Sequence, residues 1–239
     1  MKTCLVRQPA GLGDILFTQK IVKKIIETNK ADIVYWPVSK YYSYLQEYIG
    51  SDNIIFVNEE LTFPYKDIYT NDPHYIINNE ELLYLPLQRS DNIIPFDSNS
   101  SNHPMYCKYE LVGLSYSDWD QYVEIRRNFE REKFLEQSIG NNDPFSLINN
   151  TYGTYPDCKK NIKIPHIENS IIIENKGFDR PFDWMNLFEK ADNVHTVETS
   201  FCYILALLKI KNVNIYSRNT VTDFKYVKNI FPQEWNYIT

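Results

Sequence analysis

Thr3-Cys4-Leu5-Val6-Arg7-Gln8-Pro9-Ala10-Gly11-Leu12-Gly13-Asp14-Ile15-Leu16-Phe17 runs from an apolar, strand-like segment through two closely spaced glycines into the start of a helix. Glycine is scarce in this chain, 7 residues in 239. A pair at Gly11 and Gly13 therefore answers a backbone demand, a turn too tight or too close to a neighbour for a Cβ. Beyond it Ile15, Leu16, Ile21, Val22, Ile25 and Ile26 recur at helical spacing. Strand, glycine turn and helix in that order open a βαβ unit. Residues 31–36 read as a second strand, 41–49 as a short helix and 53–57 as a third strand, the rhythm of a parallel sheet.

Residues 58–104 are rich in Pro, Asn and Asp, with one strand or extended pair expected at 75–85. Ser117 can cap a helix carrying Tyr122, Ile125, Phe129 and Leu135, which Gly140-Asn141-Asn142-Asp143-Pro144 would end. The domain boundary is expected there, giving domains of residues 1–139 and 140–239. The second half restarts the rhythm, with strands at 145–149 and 170–174, a helix at 183–190, the apolar step Asn193-Val194-His195-Thr196, a helix at 201–208 and a final strand at 212–216. The expected fold class is α/β, two Rossmann-like domains with a cleft between them.

Hydrophobic residues make up 43% of the chain and aromatic ones 15%, enough for a sizeable core without staples. A net charge of −6 and a pI near 5.3 exclude nucleic acid as the expected partner, because such proteins present a basic face to phosphates. Cys4, Cys107, Cys158 and Cys202 lie far apart with no C-x-x-C pair, so neither a disulfide framework nor a zinc site is expected. No apolar run approaches the ~20 residues of a membrane-spanning helix, and Met1-Lys2 leads into no signal-peptide pattern. The expectation is a soluble, cytoplasmic protein without a transmembrane segment.

Chemistry concentrates at two turns. Gly11-Leu12-Gly13-Asp14 falls at the carboxyl edge of the first strand, where doubly wound sheets bind ligands. Leu16 stands where a dinucleotide fingerprint needs its third glycine, and Asp14 would face a pyrophosphate with a like charge, so no nicotinamide or flavin cofactor is expected. The Asp14 carboxylate is either a helix cap or a general base, and the two roles are compatible. At the second turn, Thr199 or Ser200 can cap a helix beginning at Phe201 whose N–H groups can accept a phosphate, while Glu198 can accept from ribose hydroxyls. The plainer alternative is a cap on a buried helix. His195 is either a core histidine or a ligand contact, and Lys159, Lys160, Lys176 and Arg180 are solvated cations or partners of a diphosphate. Arg7 is placed to pair with Asp14. Asp118-Trp119-Asp120 spells D-x-D, a metal-binding pattern in another class of transferases, but its position at an expected helix start favours a dipole role. Trp36 and Trp184 can stack on a base or sugar.

The segment from Arg7 to Thr18, together with the later Ala191-Asp192-Asn193-Val194-His195-Thr196-Val197-Glu198-Thr199-Ser200-Phe201-Cys202-Tyr203-Ile204-Leu205-Ala206, resembles the heptosyltransferase family of GT-B glycosyltransferases. Both share a glycine-Asp turn after the first strand and an acidic-Thr-small segment opening a helix in the second domain. Thr151-Tyr152-Gly153-Thr154 is similar to the family's phosphate-binding loop. The resemblance implies inverting, metal-independent transfer of a sugar from a nucleotide-diphosphate donor to a hydroxyl, on a glycan or lipid-linked glycan acceptor, without a cofactor. It also implies Asp14 as catalytic base, with Gly11, Leu12, Gly13, Gly153, Thr196 and the Glu198-Thr199-Ser200 turn around the donor. A catalytically inactive nucleotide- or glycan-binding module is the alternative.

Overall fold

The computed structural model describes residues 1–94, 104–140, 144–153, 158–174, 180–218, 224 and 227–238. The chain divides into two compact units, Met1–Arg126 and Arg127–Thr239.

In the first unit β1 (Thr3–Val6) is wholly buried, as its unbroken apolar run requires of a central parallel strand. It leads through the glycine turn to α1 (Leu12–Phe17) and α2 (Gln19–Glu27). The single helix expected here is broken at Thr18, whose hydroxyl and amide both return to the Asp14 carbonyl, at 2.8 and 3.0 Å. Then follow β2 (Ile33–Val38), α3 (Leu45–Tyr48), β3 (Ile54–Asn58) and α4 (Lys66–Asn71). β4 (Ile77–Asn78) and β5 (Leu82–Leu85) are the expected extended pair, antiparallel around Asn79, whose side chain accepts from the amides of Glu81 and Leu82. α5 (Ser90–Ile93) and α6 (Pro104–Glu110) complete the unit. The sheet order is β3-β2-β1-β5-β4, parallel except for β4.

The long helix expected from Ser117 does not form as such. Lys20, buried on α2, donates to the Ser115 carbonyl at 2.6 Å and pairs with Asp118, and Trp119 buries against Phe17. These contacts hold residues 119–122 in a short 3-10 turn, and Arg126 then bonds to the Tyr48 and Gln46 carbonyls. Tertiary demand overrides helical pattern here. Helix α7 (Phe129–Ile139) starts only where Asn128 caps it, accepting from the Arg131 amide at 3.1 Å, and ends at Gly140 with φ +67° as its composition predicts. It packs within the second compact unit, which begins at Arg127.

The second unit holds β6 (Ser146–Asn149), β7 (Thr151–Tyr152), β8 (Lys160–Asn161), β9 (Ser170–Ile172), α8 (Met185–Lys190), β10 (Asn193–Val197), α9 (Ser200–Leu207) and β11 (Val213–Tyr216). The strand expected to be last is not. β12 (Asn236–Ile238) follows it and pairs in parallel with β11. The main sheet is parallel throughout in the order β12-β11-β10-β6-β9, and β7 and β8 form a separate antiparallel ribbon. No helix of the described residues is long and apolar enough to cross a membrane.

Candidate functional site

Each main sheet has one point where the strand order reverses, between β1 and β5 in the first unit and between β6 and β10 in the second. Crevices outside the carboxyl ends of strands at such points are where open α/β sheets take ligands. Both points carry a polar cluster.

In the first unit Gly11 precedes α1 with φ +82°, and a Cβ built there would lie 2.5 Å from Asp14 Oδ2. Glycine is thus required twice, by the left-handed backbone and by the carboxylate above it. Leu12 and Gly13 are buried in the first turn of α1. Asp14 caps nothing with its side chain. Its carboxylate is 33% exposed, and 3.3 Å from Oδ1 stands the ammonium of Lys108, a buried lysine on α6. Lys108 also donates to Gln8 Oε1 at 2.8 Å and to the Leu87 carbonyl at 3.0 Å. Gln8 is buried too, donating to the Ala10 carbonyl at 2.6 Å, while its own carbonyl accepts from Trp36 Nε1 at 3.0 Å. Among the described residues the Lys108 ammonium is the donor that faces the Asp14 carboxylate, at Oδ1, and the remaining acceptor capacity is left for an incoming hydroxyl.

Two expectations are corrected here. Arg7 pairs not with Asp14 but with Asp72 at 2.6 Å, donates to the Tyr69 carbonyl and lies over the Tyr69 ring, because the loop after α4 folds back onto the end of β1. Trp36 is fully buried and stacked on Phe56, and Trp184 is 3% exposed, so both are core residues and offer no stacking surface. Asp118, of the D-x-D pattern, is spent on Lys20, which holds its carboxyl below the usual range.

In the second unit Asn149, at the end of β6, donates across the reversal to the hydroxyls of Thr196 (3.0 Å) and Thr199 (3.2 Å). Thr199 is the N-cap of α9, its hydroxyl accepting from the Phe201 amide at 3.3 Å, which opens the helix at Ser200. Thr196 is fully buried and its hydroxyl donates to the Val197 carbonyl, so it sets the turn from within. The Glu198 carbonyl accepts from Arg218 Nε at 2.5 Å, and the Arg218 guanidinium lies 5.7 Å over the Tyr152 ring. A cation thereby stands beside the turn that opens α9.

The remaining candidates scatter. His195 sits in mid-strand, half-buried, with Nδ1 3.2 Å from the Tyr216 hydroxyl, and desolvation lowers its pKa. Lys159 and Lys160 are exposed on the β7–β8 ribbon. Gly153 has a structural reason of its own, since a Cβ there would strike the Cys158 carbonyl at 2.7 Å. Arg180 caps the turn before α8, its carbonyl accepting from the Asp183 amide. Thr154 and Lys176 lie outside the described residues. Burial pushes the Cys202 thiol up to about 12, which leaves it protonated and inert. Sequence reasoning missed Lys108, Gln8, Asn149 and Arg218, none of which falls in a spaced motif.

No protein-family model matches the chain, and no curated protein matches it in sequence. The fold does have solved counterparts. A glycosyl transferase family 9 protein from Veillonella parvula is similar over 99% of this chain and 86% of its own, with a TM-score of 0.59 at 11% identity. The iron-containing dodecameric glycosyltransferase TibC from enterotoxigenic E. coli is similar over 99% of this chain and 61% of its own, with a TM-score of 0.51 at 10% identity. TibC described as a heptosyltransferase in complex with ADP-D-beta-D-heptose gives a TM-score of 0.53 at 8% identity, over 100% of this chain and 62% of that one. What is shared at these identities is the fold, an α/β architecture of parallel sheets like that of GT-B glycosyltransferases.

Proposed function

We propose that the chain is a glycosyltransferase moving a sugar from a nucleotide-diphosphate donor to an acceptor hydroxyl, inverting and independent of metal. The observation that carries this reading is the Asp14 carboxylate, partly exposed at the reversal point of the first sheet and faced, at Oδ1, by the Lys108 ammonium, in a fold shared with glycosyltransferases. Asp14 takes the proton of the acceptor hydroxyl as its oxygen attacks the anomeric carbon from the face opposite the diphosphate, whose bond to the sugar breaks. The second unit offers a cradle of its own for a phosphate, the N-terminal amides of α9 with Arg218 beside them. The acceptor is of the glycan or lipid-linked glycan class.

A panel of nucleoside diphosphates and their sugars in a thermal-shift assay tests the donor half. The right ligand at a hundredfold excess over its dissociation constant adds about 2.7 kcal/mol to apparent stability. Turnover, measured with and without EDTA, tests the chemical half. Asp14→Asn should lower kcat by about 10²–10⁴-fold with donor affinity unchanged, the usual worth of a general base. A second reading has its own observation. The ion pair with Lys108 also suits a structural carboxylate in a nucleotide- or glycan-binding module without turnover. An Asp14→Asn protein as active as wild type, or a wild type that binds donors and never turns over, would favour it.

A further inference from the structure

We propose that Lys108 is the positioning residue for Asp14, aiming Oδ2 of its carboxylate at the acceptor hydroxyl; this rests on the transferase reading above. A lysine is rarely fully buried, because stripping water from an ammonium costs several kcal/mol. Lys108 is only 7% exposed, and among the described residues its one anionic partner is Asp14. Its ammonium has three donors. Two are fixed by the Gln8 side chain and the Leu87 carbonyl, groups belonging to the loop after β1 and the turn after β5. The cation is thereby pinned at the reversal point by both central strands of the sheet, and its free side faces Asp14 Oδ1. Gln8 cannot drift, since it is tied to Ala10 and through its own carbonyl to Trp36 on β2.

The carboxylate is clamped from two directions. Charge draws Oδ1 towards α6, and Oδ2 settles over the bare Cα of Gly11. One oxygen is anchored and the other is left to accept. Without the ammonium, Asp14 gains the freedom of its other rotamers in a partly exposed site, and the near-attack geometry is lost.

The test uses the full chain. Lys108→Gln removes the charge but keeps an amide donor, and it should lower kcat by about 10²-fold, the cost of misplacing a reacting group by about 1 Å. The donor dissociation constant should stay at the wild-type value, which also reports that the variant is folded. Combined with Asp14→Asn, it should be no slower than Asp14→Asn alone, because a residue acting through Asp14 has nothing left to act on. Gln8→Glu is the second variant. It keeps Lys108 and its packing while setting a competing carboxylate against the ammonium, and it too should slow turnover. Wild-type kcat in either folded variant, or a double variant slower by the product of the two single effects, overturns the proposal. If the wild type turns over no nucleotide sugar, the transferase reading fails by itself. The crystal structure of Lys108→Gln then decides the positioning role, supporting it if the Asp14 side chain has left its rotamer and refuting it if the carboxylate has not moved.

Discussion

Gly11→Ala separates the geometry of the turn from the chemistry of the carboxylate. At φ +82° an alanine costs about 1–2 kcal/mol relative to glycine through the crowding of its Cβ against the backbone. The same Cβ would stand 3.2 Å from Asp14 Cγ and 2.5 Å from Oδ2, the latter closer than a Cβ approaches an unbonded oxygen. The backbone of α1 is fixed by Ile15 N–H to the Gly11 carbonyl, so the carboxylate yields, swinging away from Gly11. The melting temperature of the first unit should fall by about 4–8 °C, at roughly 4 °C per kcal/mol for a unit of this length. Turnover should fall to the level of Asp14→Asn, about 10²–10⁴-fold below wild type. Scanning calorimetry, turnover and donor titration on one preparation read all three quantities. Asp14→Asn by contrast leaves the backbone of the turn unstrained, and the stability it loses comes from leaving the buried Lys108 ammonium without its carboxylate. A Gly11→Ala protein with reduced stability and wild-type turnover would refute the reasoning, because the carboxylate would then have moved without consequence.

Two further outcomes test the second unit. Asp183 is fully buried and receives three contacts of 2.7–3.1 Å from the Arg131 guanidinium. Arg131→Met should destabilise by about 3 kcal/mol, the low end for breaking a buried pair because Arg131 is itself 34% exposed; a urea midpoint giving under about 1 kcal/mol would contradict this. His195 has its pKa lowered by desolvation, so between that value and the ordinary imidazole value, about 6.5, the unfolded chain binds a proton that the folded one does not. Stability should therefore decline as pH falls below about 6.5, and His195→Gln should flatten that part of a stability-against-pH curve; parallel curves for the two proteins would refute it.

Most of the fold was legible because its signals are local. The unbroken apolar run of β1 and the glycine turn each specify their geometry within a few residues. The failures came where a distant group decided. Nothing in the sequence around Ser117 announces that Lys20 will draw residues 115–118 onto α2, and periodicity alone extends that helix through a stretch the structure bends. β12 is three residues long and follows β11 by 19, too short for its alternation to register.

The candidate site divides along the same line. Asp14 and Thr199 were legible because each lies beside a helix start, where sequence spacing and three-dimensional neighbourhood coincide. Lys108 and Asn149 were not, since they reach their turns across the sheet, over sequence separations of 94 to Asp14 and 50 to Thr199. Yet topology puts them in equivalent places. Each stands at the reversal point of its own sheet and bonds to both central strand ends or the turns that follow them. A reversal point splays two loops apart and leaves their polar backbone and side-chain groups facing a gap. A buried donor that spans the gap is the physical answer in both units: an ammonium where the turn carries a carboxylate, an amide where it carries two hydroxyls. A strand order of this kind therefore predicts that such a donor exists, although it does not reveal which residue along the chain supplies it.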